Sequence, residues 1–393
     1  MLSTKKPYLI IPKFIEQPTW GGTEILKLKN WEGKLFLKDK KIGQSYELFG
    51  SSKLLLTITD SADERFIPEF GFADKPGIVQ AYFPYKNSDF ATISTVISGS
   101  PEKWLGKKIS DTFGKMPLLN KINQAYGNSF QLHIKPDMAK NGRWQPKAES
   151  WYYFEDGLAT CGIKEDCDIE KYKSTCQDIE KKMKQLSEKV RTSKTTINGA
   201  RMEAEAYIKG KNPWQFVKMY DIKRDTLLDL SAGGIHHSWE ENKQKYPKGN
   251  FLYEIQQDVM DPVCTIRSFD QGKFKDDGTI RSINILDYFR YLDTDPEHND
   301  IRTLLRAPQG KRLLTTKNYS MDICRVDGEF TDSTNGSFVH LFAREGRATV
   351  KAQEGSVTLT RGHSCFLPAE VNDFSLVSLQ NTKVVILKTF IDV

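Results

Sequence analysis

The chain has 393 residues, enough for two or three domains, with 57 Lys+Arg against 51 Asp+Glu and a formal net charge of +6. The positive balance is spread along the sequence, which favours an anionic small molecule and lacks the concentrated basic stripe that nucleic-acid binding requires. No apolar run approaches the roughly 18 residues of a membrane span, and MLSTKKPYLIIPKF at the N-terminus has only a short apolar stretch broken by proline, unlike a signal peptide. The six cysteines form no CxxC pair or regular framework and read as reduced thiols of a cytoplasmic protein.

In chain order, Trp20-Gly21-Gly22 suits a tight turn under an aromatic cover. FQLHIKPD at 130–137 reads as a strand, in which Gln131 and His133 face one way and Leu132 the other. Glu149 follows about one hairpin later in KAESWYY, and His236 lies in SAGGIHHSW at the end of another β-rich stretch. Two imidazoles, a carboxylate and an amide oxygen, with room for water, suit a borderline cation such as Zn²⁺ at a catalytic site. The competing reading is that these are ordinary polar strand positions. Either His236 or His237 is available as the second imidazole, and an extended chain would point them to opposite sides.

Between Lys164 and Pro213 the pattern changes. Ile169, Tyr172, Cys176, Ile179, Met183, Leu186 and Val190 recur at alternating steps of three and four in a Lys/Glu-rich context, predicting a helix. RMEAEAYIK at 201–209 predicts a second, shorter one. Together they form a helical insertion over about 165–212, packed on its own domain or serving as a dimerisation arm. FLYEIQQ at 251–257 is a strand with Leu252, Glu254 and Gln256 on one face; a carboxylate and an amide there are costly to bury without a partner or a task. In the C-terminal part, NG at 335–336, EG at 345–346, EG at 354–355 and RG at 361–362 separate SFVHLFA, RATVKA and SVTLT, predicting an antiparallel meander in a sandwich or barrel.

These segments resemble, in order from about Ile11 to Asp287, type I phosphomannose isomerase (mannose-6-phosphate isomerase), a zinc enzyme family of the cupin superfamily. The resemblance is carried by WGG at 20–22, IGQSYELFGS at 42–51, MPLLNKI at 116–122, QLH at 131–133, KAESWY at 147–152, AGGIH at 232–236 and EIQQ at 254–257. GHSCFLPAE at 362–370 is similar to the closing motif of a cupin barrel, with Glu370 in place of its last glycine. The resemblance implies a mainly β fold of two cupin-like jelly-roll barrels: a catalytic domain over 1–300 that carries the helical insertion, and a C-terminal domain over 301–393. His340 and His363 in the second barrel have no acidic partner at cupin spacing, so that barrel is expected to be metal-free.

The resemblance also implies roles. Gln131, His133, Glu149 and His236 would hold one Zn²⁺ per chain, the A-G-x-x-H register favouring His236 over His237. Lys147 would serve proton transfer or substrate binding, Glu254 would be a general base or orienting carboxylate, and Arg267 would be catalytic or substrate-binding. Lys273 would contact a phosphate, and Trp20 is counted on the substrate side. An aldose–ketose isomerase needs charge stabilisation at the substrate oxygens and a base near the carbon-bound proton, and this set supplies both. The expected reaction interconverts mannose-6-phosphate and fructose-6-phosphate through a cis-enediol, in a monomer or homodimer.

Three departures stand out. His133 is followed by Ile134 and Lys135 before Pro136, where the family has proline directly, so Lys135 is expected to reach the pocket. Pro146 occupies a position where some members have histidine. LSAG replaces the common P-A-G, and the segment after His236 is longer than the short bacterial form. These changes keep open a cupin isomerase or epimerase acting on another sugar or sugar phosphate, and a non-catalytic sugar-binding cupin. An iron oxygenase is disfavoured by the Gln131 amide beside the imidazoles.

Overall fold

The computed structural model describes the chain except residues 1, 18–19, 35–36, 73–83, 128, 232–233, 239–241, 271–273, 296, 299, 380–382 and 393, and except the side chains of 71–72, 140–141, 234 and 237–238. The mainly β expectation is met. Two compact units are present, one of Met1–Gln124, Leu252–Asp258 and Arg306–Val393, the other of Ala125–Phe251 and Val259–Leu305. No helix among the described residues is long and apolar enough to cross a membrane.

In the first unit the C-terminal strands divide between two sheets and do not form the predicted meander: Val339–Glu345 pairs with Ser364–Leu367 in one, and Arg347–Ala352 with Gly355–Thr360 in the other. Val339–Glu345, Arg347–Ala352, Gly355–Thr360 and Ser364–Leu367 are strands, separated at the turn signals read from the sequence. Asn335 and Gly336 both have positive φ (50° and 76°), as a tight turn with two left-handed residues requires. Gly346 has φ 75°, and a Cβ there would lie 2.5 Å from the Lys383 carbonyl oxygen. The N-terminal strand Tyr8–Ile11 completes the sheet by pairing Tyr8 with Phe366 and Leu9 with Cys365. All four of its residues are buried.

Two polar groups deep in this unit are neutralised locally. Lys29 Nζ lies 2.8 Å from Glu47 Oε1, with both side chains fully buried, and Ser364 Oγ donates to Glu47 Oε2 at 2.8 Å. His340 Nδ1 lies 3.0 Å from Asn120 Nδ2 and 2.9 Å from Tyr253 Oη. Its imidazolium is pushed down to about 3, first by burial and then by the Lys29 charge, so the ring is neutral. His363 packs against the rings of Trp31 and Phe66.

The second unit is built on a five-stranded antiparallel sheet. Its order is Val217–Ile222, Gly157–Ile163, Gly234–Ser238, Ser129–His133 and Ile266–Asp270. Strand alternation gives the sheet two characters. Leu132, Ile235 and Ile266 lie side by side across three strands, and belong with Phe130 and Phe269 to a buried cluster that includes the helices.

The predicted helices form as Ile169–Arg191 and Ile197–Lys211. Asp168 caps the first by accepting from Lys171 N at 3.0 Å, and Thr196 caps the second by accepting from Gly199 N at 3.1 Å. Such caps contribute about 1 kcal/mol each. Tyr172, Cys176, Ile179, Met183 and Leu186 are buried in the same cluster as Leu132 and Ile235, with Ile169 and Val190 at its edge. Ala200 and Ala204, small enough for close helix approach, are buried on the second helix. The apolar stripe therefore covers the chain's own sheet, as the own-domain reading expects. Leu186→Ala should lower stability by about 2–5 kcal/mol, the usual result of truncating a fully buried leucine. Chemical denaturation checks this, and a loss below about 1 kcal/mol would mean the helix pair contributes little packing.

Candidate metal centre

The polar face of the five-stranded sheet gathers the expected ligands by register. His236 lies opposite Gln131 and Gly234 opposite His133, Arg267 lies opposite Gln131 on the other side, and Cys161 lies opposite His236. Residues directly opposite in an antiparallel pair share a face, so one row runs Cys161, His236, Gln131, Arg267. Glu149 begins the strand Glu149–Tyr153, and its carbonyl accepts from Leu230 N at 3.0 Å. His133, Glu149 and His236 offer ligand atoms that all lie within 4.8 Å of one another, and all three residues are buried.

The protonation states suit a cation. His133 Nδ1 donates to the Cys264 carbonyl at 2.6 Å, which leaves the Nε2 lone pair directed at Glu149 Oε2, 3.3 Å away. Burial, then the Lys147 charge, pushes the His133 imidazolium down to about 4, so the ring is neutral at physiological pH. Burial alone would raise the Glu149 carboxyl, but the Lys147 ammonium and then the two imidazoles hold it well below the usual carboxylate range. Glu149 Oε1 is 2.9 Å from His236 Nε2, yet it is buried without a hydrogen bond.

A carboxylate whose Oε2 faces one imidazole nitrogen and whose Oε1 faces the other, at such spacing, fits a bound divalent ion. Bonds of about 2.0–2.1 Å in a tetrahedral site place ligand atoms roughly 3.3 Å apart, close to the 2.9 and 3.3 Å found here. The Gln131 amide lies beside the group, with Nε2 3.3 Å from His236 Nε2. A half-turn of the amide would present its oxygen instead.

Around this group, Lys147 Nζ is 2.5 Å from Glu149 Oε2, with 8% of its side chain exposed. Arg267 is held on two sides: Nη2 donates to both Asp261 oxygens at 2.9 and 3.0 Å, and Nε donates to Ser129 Oγ at 3.0 Å. Lys135 is paired with Asp293 and lies 3.3 Å from His298 Nδ1, so its charge ties the strand end to the 293–298 segment. Lys273 and the His237 side chain lie outside the described residues.

Glu254 and Trp20 belong to the other compact unit. There Glu254 Oε1 is 3.1 Å from Lys121 Nζ and Oε2 accepts from Asn123 at 2.5 Å. Lys121 also donates to Gln256 at 3.2 Å, in keeping with one shared face for Glu254 and Gln256. Trp20 covers Gly43, where a Cβ would come within 2.6 Å of its ring. Gly22 and Ile42 exchange backbone hydrogen bonds of 3.2 and 2.8 Å beside it.

Sequence reasoning missed three contributors. Ser129 was legible by period two, standing two residues before Gln131 on the same face. Asp261 and the Cys264 carbonyl come from the short helix Asp261–Cys264, whose relation to Arg267 and His133 no spacing rule conveys.

Comparison with known proteins gives a domain match and a shared fold. Residues 310–386 match the family model described as mannose-6-phosphate isomerase, cupin domain. The mannose 6-phosphate isomerase of Bacillus subtilis has a similar structure at 14% identity and a TM-score of 0.64, covering 98% of this chain and 99% of that one. A putative mannosephosphate isomerase from Archaeoglobus fulgidus is similar at 17% identity and a TM-score of 0.63, covering 100% of both chains. A zinc-bound mannose 6-phosphate isomerase is similar at 12% identity and a TM-score of 0.63, covering 99% of this chain and 100% of that one. No curated protein matches the sequence at a significant level. Residues 310–386 therefore match the cupin domain of mannose-6-phosphate isomerases, and the whole chain shares the fold of these solved structures.

His133→Ala should reduce bound zinc to well below one per chain while the protein remains folded. Elemental analysis after dialysis, with circular dichroism as the folding control, checks this. Full metal content in a folded variant would show that His133 is not a ligand.

Proposed function

We propose that this chain is a metal-dependent aldose–ketose isomerase that interconverts mannose-6-phosphate and fructose-6-phosphate, with its catalytic residues within 1–300. The observation that carries the reading is the buried His133–Glu149–His236 group, with Lys147 paired to Glu149. Its setting in a fold shared with mannose 6-phosphate isomerases, one of them zinc-bound, supports it.

His133, Glu149 and His236, with the Gln131 amide oxygen, would hold Zn²⁺. Bound there, the ion supplies Lewis-acid stabilisation of negative charge on the sugar oxygens. The remaining work falls to side chains. Lys147 is the proton carrier of this reading: its Nζ is buried beside the ligand group. Arg267, locked by Asp261 and Ser129, presents a guanidinium of fixed orientation that suits an enediolate or phosphate oxygen. Lys273 is assigned to the phosphate. Glu254, held by Lys121 and Asn123, suits an orienting carboxylate better than a mobile base. Glu149 is held as an anion and so remains a ligand when a proton moves nearby.

A coupled assay on metal-analysed protein tests the reading. Turnover of mannose-6-phosphate should vanish with chelator and return with zinc. Arg267→Ala should keep metal and fold and lose roughly a hundredfold or more in turnover, the scale of removing a fixed charged donor. No turnover from a metal-loaded chain would sink this substrate, and a screen of other sugar phosphates would then decide whether the activity is isomerisation at all.

A further inference from the structure

Glu149 is the one acidic residue of the His133–Glu149–His236 group, and two cations have a claim on it. One is a metal bound by the group. The other is already in contact: Lys147 Nζ sits 2.5 Å from Glu149 Oε2, with side-chain exposures of 8% and 2%. Lys147 is two residues before Glu149, so the local backbone holds the ammonium next to the carboxylate. Water is largely excluded from the pair, so the charges are weakly screened. The two carboxylate oxygens are not equivalent. Oε2 has Lys147 Nζ at 2.5 Å, nearer than His133 Nε2 at 3.3 Å, whereas Oε1 faces His236 Nε2 at 2.9 Å with no hydrogen bond.

We propose that Lys147 is an internal competitor of the metal: it occupies one oxygen of Glu149, restricts the carboxylate to binding through the other, and so weakens the hold of the group on a divalent cation. This rests on the metal-dependent reading above and adds a role for Lys147 apart from proton transfer. The charge count explains the use of such an arrangement. Glu149 and Lys147 together are neutral, so a divalent cation leaves the buried group with two excess positive charges. Those charges are relieved when an anion enters. Metal and anionic sugar should therefore bind cooperatively, each raising the affinity for the other by the same factor. An isomerase whose intermediate is an enediolate gains from a site that is short of negative charge until the substrate supplies it.

The test is calorimetric titration of Zn²⁺ into chelator-stripped wild type, Lys147→Met and Lys147→Arg, without turnover as a readout. Lys147→Met should bind Zn²⁺ roughly tenfold or more tightly than wild type, because one nearby positive charge is removed, and Lys147→Arg should stay near the wild-type value. Fructose-6-phosphate should tighten zinc binding to wild type and do so less in the Met variant. Equal or weaker binding by a folded Met variant overturns the competition while leaving the metal reading intact. No zinc binding by any form overturns both. Lys147→Gln, closer in polarity, provides the same comparison if the Met variant fails to fold.

Discussion

The register of the five-stranded sheet is the constraint on which the rest of the site depends. Pairing His236 with Gln131 and Arg267 with Gln131 sets the polar row, and the neighbouring pairs Leu132–Ile235 and Leu132–Ile266 set the apolar one. A slip of one residue in the Ser129–His133 strand would turn His133 and Gln131 into the helix-packed core and Leu132 into the site. The helix pair makes that slip costly, because Tyr172, Ile179, Met183 and Leu186 are buried in the same cluster as Leu132, Ile235 and Ile266. The insertion between these segments thus helps hold the face that carries His133 and His236 in register.

Charge is managed differently in the two buried Lys–Glu pairs. Lys29–Glu47 is enclosed by further partners: Ser45 and Ser364 donate to the carboxylate, and the ammonium donates to the Gly362 carbonyl. Such a pair completes its hydrogen bonds within the protein, as a buried ion pair must to offset its desolvation. Lys147–Glu149 is less complete. One carboxylate oxygen has no hydrogen bond, and two imidazoles stand beside the carboxylate. An incompletely satisfied buried carboxylate is expensive in a purely structural setting and useful where a cation or a proton must come and go.

Identities of 12–17% with whole-chain coverage fit this division of labour. The fold needs alternation, turns and core volume, which many sequences satisfy. The site needs particular atoms at particular distances, which few positions supply. The family match at residues 310–386 lies outside the segments that carry His133, Glu149 and His236. The domain match and the site chemistry therefore rest on separate parts of the chain.

What the sequence determined by itself was local. Period-two alternation placed Gln131 and His133 on one face, the three-four stripe marked the helix that runs from Ile169 to Arg191, and glycine-containing turns delimited the C-terminal strands, whose division between two sheets the sequence did not show. Each depends on residues a few positions apart, so the pattern is written in the order of the chain. Tertiary structure decided what lies across long separations: Tyr8–Ile11 paired with the strand Ser364–Leu367, His236 beside Gln131 and Glu149, the Cys264 carbonyl on His133, and Asp261 as the clamp on Arg267. It also decided that Lys135 is spent on Asp293 and that Glu254 is held by Lys121 and Asn123. These outcomes depend on which strands meet and in what register, and a backbone carbonyl or an ion pair at a distance leaves no periodic mark in the sequence from which to read it.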